Sequence, residues 1–311
     1  MVDKRIAEVE SAAKMAAFPV SVSPVPPLNG RDGRSHSDKL YCVIDLSAGP
    51  NASSYPVSYR SSAPSSGWSD EYKTTKLVLR RIEPGTFIMG EDQKDESHRV
   101  TITKPFYIGV FEVTQKQYEL VMGNNPSEFK GVRRPVEKVS YSMIRGVAQG
   151  ARWPSSSAVD ADSFLGRFRA KTRIDTFDLP TEAQWEYACR SGTKSAYNNG
   201  GDAEDDLKQL ARYGGTYGNA KKHATVGSYR ADASGLYDMH GNVWELCLDW
   251  SGSLSFGTDP VGPASDSVRV PRGGGWGSYA QSCRSAVRGS APPSRSSSRI
   301  GFRLCSSAGL R

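Results

Sequence analysis

The 311 residues contain no apolar run close to the ~20 side chains that a membrane-spanning helix needs. The opening MVDKRIAEVESAAKMAAF is amphipathic and charged and lacks the apolar centre of a secretory signal. Cysteine is sparse: Cys42, Cys189, Cys247, Cys283 and Cys305 are widely spaced with no CxxC, which excludes a finger-type zinc site. The odd number leaves at least one thiol unpaired. A single Cys247–Cys283 or Cys283–Cys305 bridge is compatible with the spacing, and reduced, buried thiols are the default. The four histidines form no HExxH, and there is no P-loop or dinucleotide fingerprint. The most telling absence lies at the end. From Arg272 to Arg311 there is no Asp, Glu, Lys, His, Met, Asn or Thr, whereas seven Arg are present.

What is abundant is glycine and aromatic residues. Thirty-one Gly and 18 Pro imply many turns, and 6 Trp, 14 Tyr and 10 Phe can build a core from irregular chain. The net charge of +7 is spread out except at the acid-free end. There the arginines alternate with Gly and apolar residues and do not form one stripe, so pairing with buried carboxylates is favoured over nucleic acid or lipid.

Residues 1–38 start as a weak helical pattern and dissolve into a Pro-, Ser- and Gly-rich segment that reads as a flexible linker. A single domain is expected over 39–311. Strand candidates are LYCVIDL, TKLVLRRI, TFIMG, HRVTI and PFYIGVFEV, with a hairpin expected where Pro84-Gly85 joins the second to the third. Two helices are expected. One follows Thr114 and ends at Gly123; the other follows Thr181, with Gln184 completing a capping box and Gly192 closing it. The polar stretch from Asn198 to Ala224 is expected as a surface excursion. Short strands and Gly turns should fill the remainder, with Trp244, Trp250 and Trp276 in the core.

One turn, LYDMHGNVWELCLDW, is dense in oxygen donors. Asp238, Asn242 and Glu245 lie around Gly241 and are able to bind Ca²⁺ with help from the carbonyls of Gly241 and Val243, or to cap the turn themselves. The only nearby histidine is His240. The triple glycine 273–275 is followed by no helical pattern and reads as close backbone approach, not as a phosphate loop.

PGTFIMG, FEVTQKQY, RPVEKVSY, LPTEAQWEYACRSGT, GLYDMHGNVWE, RGGGW and IGFRL occur in the order found in the formylglycine-generating enzyme family of sulfatase-modifying proteins, which this chain resembles over about 76–305. The resemblance implies an α+β, C-type-lectin-like fold of the formylglycine-generating-enzyme type, with small mixed sheets, two helices and much irregular chain. It also implies a structural Ca²⁺ held through Asp238, Gly241, Val243 and Glu245, where Asp238 replaces the family's usual Asn; no other cofactor is required. The family's oxidases hold copper with two Cys after the Gly-rich turn. This chain has Cys283 alone there, so no catalytic residue carries over, and soft Cu(I) ligation needs a second thiolate. A copper-dependent oxidase with a displaced metal site is the alternative.

The ending GGGWxxxAQxCRSAxR…PS…IGFRL resembles, more narrowly, the variable proteins of diversity-generating retroelements, of the Treponema variable protein A type. In those systems template Asn codons become any base, any base, C, which cannot encode Lys, Glu, Gln, Met or Trp. The corresponding positions within a variable region of about 272–303 are Gly277, Ser278, Tyr279, Ser282, Val287, Gly289, Ala291, Arg295, Ser297, Ser298 and Arg299. All obey the rule, and Gln281, which does not, falls in the frame. The resemblance implies a non-catalytic, receptor-type protein displaying this patch at a cell surface to a protein or other cell-surface ligand, with no nucleic acid. Any membrane attachment would come from an N-terminal anchor that the chain as given does not contain. Tyr would be the anchor and Ser and Gly the adaptable contacts, as in antibody paratopes.

Overall fold

The computed structural model describes residues 39–91, 97–214, 221–254 and 256–307. The expected linker, 1–38, lies outside the described residues. Strand β1 (Tyr41–Asp45) shows how the sheet is covered on both sides. Cys42 and Ile44 enter one apolar cluster, and Tyr41 and Val43 enter another, as the period of two requires. Strand β3 (Lys76–Ile82) divides the same way, with Leu77 and Leu79 in the first cluster and Val78 in the second. Together with β2 (Val57–Arg60), β6 (Phe106–Gly109), β7 (Phe177–Asp178) and β12 (Cys305–Ser307) they form a six-stranded antiparallel sheet, ordered β2-β1-β3-β6-β12-β7.

The expected hairpin after β3 does not form. Strand β4 (Gly85–Met89) pairs with β5 (His98–Ile102), which pairs in parallel with β9 (Gly257–Thr258), in a separate sheet. Pro84 lacks a ladder donor, and the Pro-Gly pair carries the chain from one sheet to the next. A third, mixed sheet consists of β10 (Arg269–Arg272), β8 (Trp244–Trp250) and β11 (Ile300–Gly301), with β8 in the middle. This sheet carries both ends of the segment of interest.

Helix α1 (Gln115–Met122) has a capping box between Thr114 and Gln117 and ends at left-handed Gly123. Helix α4 (Glu182–Arg190) has the expected box between Thr181 and Gln184, but its left-handed cap is Ser191, one residue before Gly192. Three further helices were not expected: α2 (Tyr141–Arg145), α3 (Phe164–Thr172) and α5 (Glu204–Leu207). In α3 the apolar face is Phe164, Leu165 and Phe168, and Ser163 caps it by accepting from the Gly166 N–H. Gly166 obscures this helix in the sequence, yet a Cβ there would sit 2.1 Å from the Asp160 carbonyl oxygen. Trp244 and Trp250, the two ends of β8, and Trp276, in the loop after β10, are half-buried; the fully buried indole is Trp185.

Candidate binding face

Arginine fixes the base of the segment. Arg272, at the end of β10, is fully buried and reaches helix α4, bonding Glu186 directly and lying 3.3 Å from Glu182. Its guanidinium also donates to the carbonyls of Ser285 and Ala286, each at 2.8 Å. Arg288 forms a two-point pair with Glu182, at 2.6 and 2.8 Å. The acids at positions 182 and 186, one helical turn apart, are therefore bridged by Arg272, with Arg288 added on Glu182 and Arg190 on Glu186. Gly273 and Gly274 have left-handed backbones (φ 89 and 75°), and a Cβ on Gly274 would lie 2.5 Å from the Cys283 sulfur. This is the close approach that the triple glycine suggested.

The rest of the segment is held by its main chain. Lys138 and Trp244 donate their backbone N–H groups to the carbonyls of Ser297 and Arg299 at 2.9 and 2.8 Å, and Gly214 donates to that of Ser278 at 2.8 Å. The Trp276 indole N–H bonds the Ser298 carbonyl at 2.9 Å, and the Tyr197 hydroxyl bonds the Ala280 carbonyl at 3.1 Å. His240 is sealed in the interior, with Nε2 accepting from the Asn198 N–H (3.1 Å) and Nδ1 against the Cys283 carbonyl (2.7 Å). The first contact fixes the tautomer, so Nδ1 carries the proton and donates. Burial holds its pKa down at about 4, so it is a neutral strut.

Under the face lies a cluster the sequence reading missed. Leu207, Leu210, Ala211 and Tyr213 pack with Ala196, Tyr197, Ala280 and Cys283. These residues come from the stretch expected as a surface excursion. The spacing of Leu207, Leu210 and Ala211 (i, i+3, i+4) is the signal that reveals it.

The structure brings most of the candidate variable positions to the surface. Tyr279 is 67% exposed, Arg295 and Arg299 are exposed, and Gly277, Ser278, Ser282, Val287, Ser297 and Ser298 are half-buried. Ser278 is partly committed, since its hydroxyl accepts from the Gly275 N–H at 3.0 Å. Two positions depart from the expectation. Ala291 is 1% exposed and exchanges both backbone hydrogen bonds with Arg269, which fixes it as an added pairing on β10. Gly289 follows the same edge, and a Cβ there would lie 2.9 Å from Pro271 and 3.0 Å from the Trp244 ring.

The oxygen-rich turn is also buried. Glu245 accepts from Arg303 at 2.5 and 2.6 Å and from the Trp185 indole at 2.7 Å. Asp238 accepts from the Gly227 N–H at 2.6 Å through one oxygen; the other is buried and has no partner. Glu112, which sequence reasoning missed, joins them by accepting from Asn242 (2.5 Å) and the Val243 N–H (3.1 Å). Burial, followed by the charges of Asp238 and Glu245, pushes Glu112 well above the usual carboxylate range, and burial lifts Asp238 to about 6. Three carboxyl groups thus share one guanidinium. The unpaired buried oxygen of Asp238 is the feature here that a hard divalent cation would answer, whereas both Glu245 oxygens are already engaged by Arg303 and Trp185.

The thiols offer little to a soft metal. All five are buried and unbridged, and burial pushes Cys189 and Cys283 up to about 12. Among the described residues, no group of three or more His, Cys, Asp or Glu side chains is arranged to hold a metal.

A model of the sulfatase-modifying factor enzyme 1-like domain matches residues 68–308. The chain belongs to this family. Its fold is accordingly the α+β, C-type-lectin-like fold of the formylglycine-generating-enzyme type, with five helices among the described residues where two were expected. The structure is similar to Treponema denticola variable protein 1, at 30% identity and a TM-score of 0.62, over 75% of this chain and 96% of that one. PvdO from Pseudomonas aeruginosa shares the fold, at 23% identity and a TM-score of 0.55, over 74% of this chain and 94% of that one. In sequence, the chain is 32% identical to the chaperone protein LppX of Paenibacillus barcinonensis over 64% of its own length and 78% of that protein's. It is 37% identical to the formylglycine-generating enzyme of Streptomyces coelicolor, over 42% of this chain and 47% of that enzyme. Among the described residues no helix is long and apolar enough to cross a membrane.

Proposed function

We propose that this family member is a non-catalytic binding protein that presents a diversified patch on a rigid scaffold to a protein or other cell-surface ligand. One observation carries the reading. Apart from Arg284, Ser285, Arg288 and the Ser278 hydroxyl, the hydrogen bonds that hold 278–299 in place land mainly on its carbonyls, so most side chains at the display positions can change with little effect on the fold. Similarity to a Treponema variable protein supports it. The positions that suit display are Gly277, Ser278, Tyr279, Ser282, Val287, Arg295, Ser297, Ser298 and Arg299. Calcium at Asp238 and Glu245, with the carbonyls of Gly241 and Val243, would be structural, tying the turn before β8 to the core beneath the face. Deep sequencing of the 3′ end of the gene in a population grown from one cell tests the proposal. Changes confined to these codons, at first and second bases, are expected; a uniform sequence refutes diversification.

Family membership and the match to the Streptomyces enzyme favour a second reading, a copper-dependent oxidase with a displaced site. Its test is Cu(I) titration. Stoichiometric binding that is lost in Cys283→Ser would establish it, whereas the buried, protonated thiols lead us to expect none.

A further inference from the structure

The charges of the segment are unevenly matched. Residues 272–303 hold six arginines and no acid. Four arginines find carboxylates elsewhere in the chain: Arg272 and Arg288 on Glu182 and Glu186, Arg284 on Glu91 at 3.0 Å, and Arg303 on Glu245. Arg295 and Arg299 are exposed, and neither makes an ion pair among the described residues. Lys138, whose backbone N–H holds the Ser297 carbonyl, directs its own side chain to Glu128 at 3.1 Å.

Arg299 is nevertheless held in place. Its guanidinium lies 5.2 Å from the centre of the Trp276 ring and covers Gly277, where a Cβ would come within 2.9 Å of its Cζ. A cation stacked on an indole keeps the edge of its fork free for a planar anion and has lost part of its side-chain freedom before binding. Two residues from Gly277, Tyr279 stands 67% exposed. Tyrosine and arginine are the residues enriched in binding hot spots.

We infer that the face of this chain takes an acidic protein surface, one that offers carboxylates to Arg295 and Arg299 beside an apolar spot for Tyr279. This rests on the binding reading above. Two free arginines without a lysine fall short of the run of four to eight basic residues that marks an anionic-lipid site. The surrounding Gly, Ser and Tyr are the composition of a protein-binding paratope.

The test is a parallel selection of a displayed library of random linear peptides on the full chain and on its Arg295→Ser/Arg299→Ser and Tyr279→Ala variants. Peptides retained by the full chain should be enriched in Asp and Glu. Their affinity should fall about tenfold in the double arginine variant, and should fall as salt rises. Peptides that depend on Tyr279 but show no acid enrichment overturn this inference and leave the binding reading standing. The absence of any peptide that depends on Tyr279 overturns both. Retention of phosphatidylserine vesicles or single-stranded DNA as strongly as the peptides overturns the choice of a protein partner.

Discussion

Replacing Arg272 by Met keeps most of the volume and deletes the charge that joins helix α4 to the base of the face. Glu182 keeps its two-point pair with Arg288, and Glu186 still accepts from Arg190 at 2.8 Å and from the Gly90 N–H at 2.9 Å, so neither acid is wholly abandoned. That places the electrostatic loss near the low end of the range for breaking a buried pair, about 3 kcal/mol. The carbonyls of Ser285 and Ala286 also lose their donors, each loss costing about 1 kcal/mol or more where water cannot enter. A total of about 5 kcal/mol, at roughly 2–4 °C per kcal/mol for a domain of this size, lowers Tm by about 10–20 °C. Calorimetry reads this directly, with Arg295→Ser as the exposed control, expected within about 0.5 kcal/mol of the parent. Adding Glu186→Gln to Arg272→Met removes the under-compensated carboxylate and should restore about 1 kcal/mol or more. An Arg272→Met protein that melts with the parent would refute the claim that buried charge pairs, and not the glycine turn alone, fix the base of the face.

Three further outcomes are expected. Millimolar Ca²⁺ should raise Tm over EGTA by an amount corresponding to about 1–3 kcal/mol, and the shift should vanish in Asp238→Ala; equal melting in both buffers removes calcium from the turn. Stability should rise on acidification from pH 8 to 6. Burial lifts Asp249 to about 8 and Asp232 to about 7. Above their unfolded pKa, each carboxyl therefore penalises the fold, and the penalty fades as pH falls through the folded value. His240 opposes them, since its folded pKa of about 4 lies below the unfolded one and its contribution is lost as pH falls below about 6.5. The two carboxyls outweigh it above pH 6, by on the order of 2 kcal/mol, and a Tm that falls from pH 8 to 6 would contradict the burial of these groups. Finally, Tyr279→Ala should change Tm by no more than surface substitutions do while abolishing ligand capture; a large drop in Tm would show that Tyr279 is packed.

Helices α1 and α4 and strands β1, β3 and β6 of the large sheet were legible because their signals are local. Thr181 with Gln184 and the alternation of LYCVIDL need no tertiary knowledge. The hairpin was misread because β4 pairs with the following β5, whose other edge is completed by β9 about 160 residues further on. At the site, glycine spacing and the lack of acids pointed to the segment proposed above as the binding face. Ala291 and Gly289 could not be assigned from the codon rule, because small residues suit both a mutable surface and a tight edge. Glu112 was invisible for the opposite reason: its partners, Asn242 and Val243, lie 130 residues away.

Displayed positions on such a face are not independent of one another. Gly277 and Arg299 lie 22 residues apart in sequence, yet the guanidinium of one occupies the space in which a side chain on the other would begin. Gly277→Ala must push that guanidinium aside and so disturb its stacking on Trp276, a contact of about 0.5–1 kcal/mol at an exposed site. The displaced group is the far end of a flexible side chain, so no larger cost arises. In an Arg299→Ser background the three atoms nearest to the new methyl are gone, so the same substitution should cost less. A double-mutant cycle by urea unfolding should therefore return a coupling of about 0.5–1 kcal/mol, near the lower end of values for touching residues. A zero coupling would mean that Arg299 does not rest on Trp276 in solution. A coupling of the expected size means that variation at 277 also sets whether the arginine at 299 is held ready for a partner, so the two codons specify one element of the binding surface together.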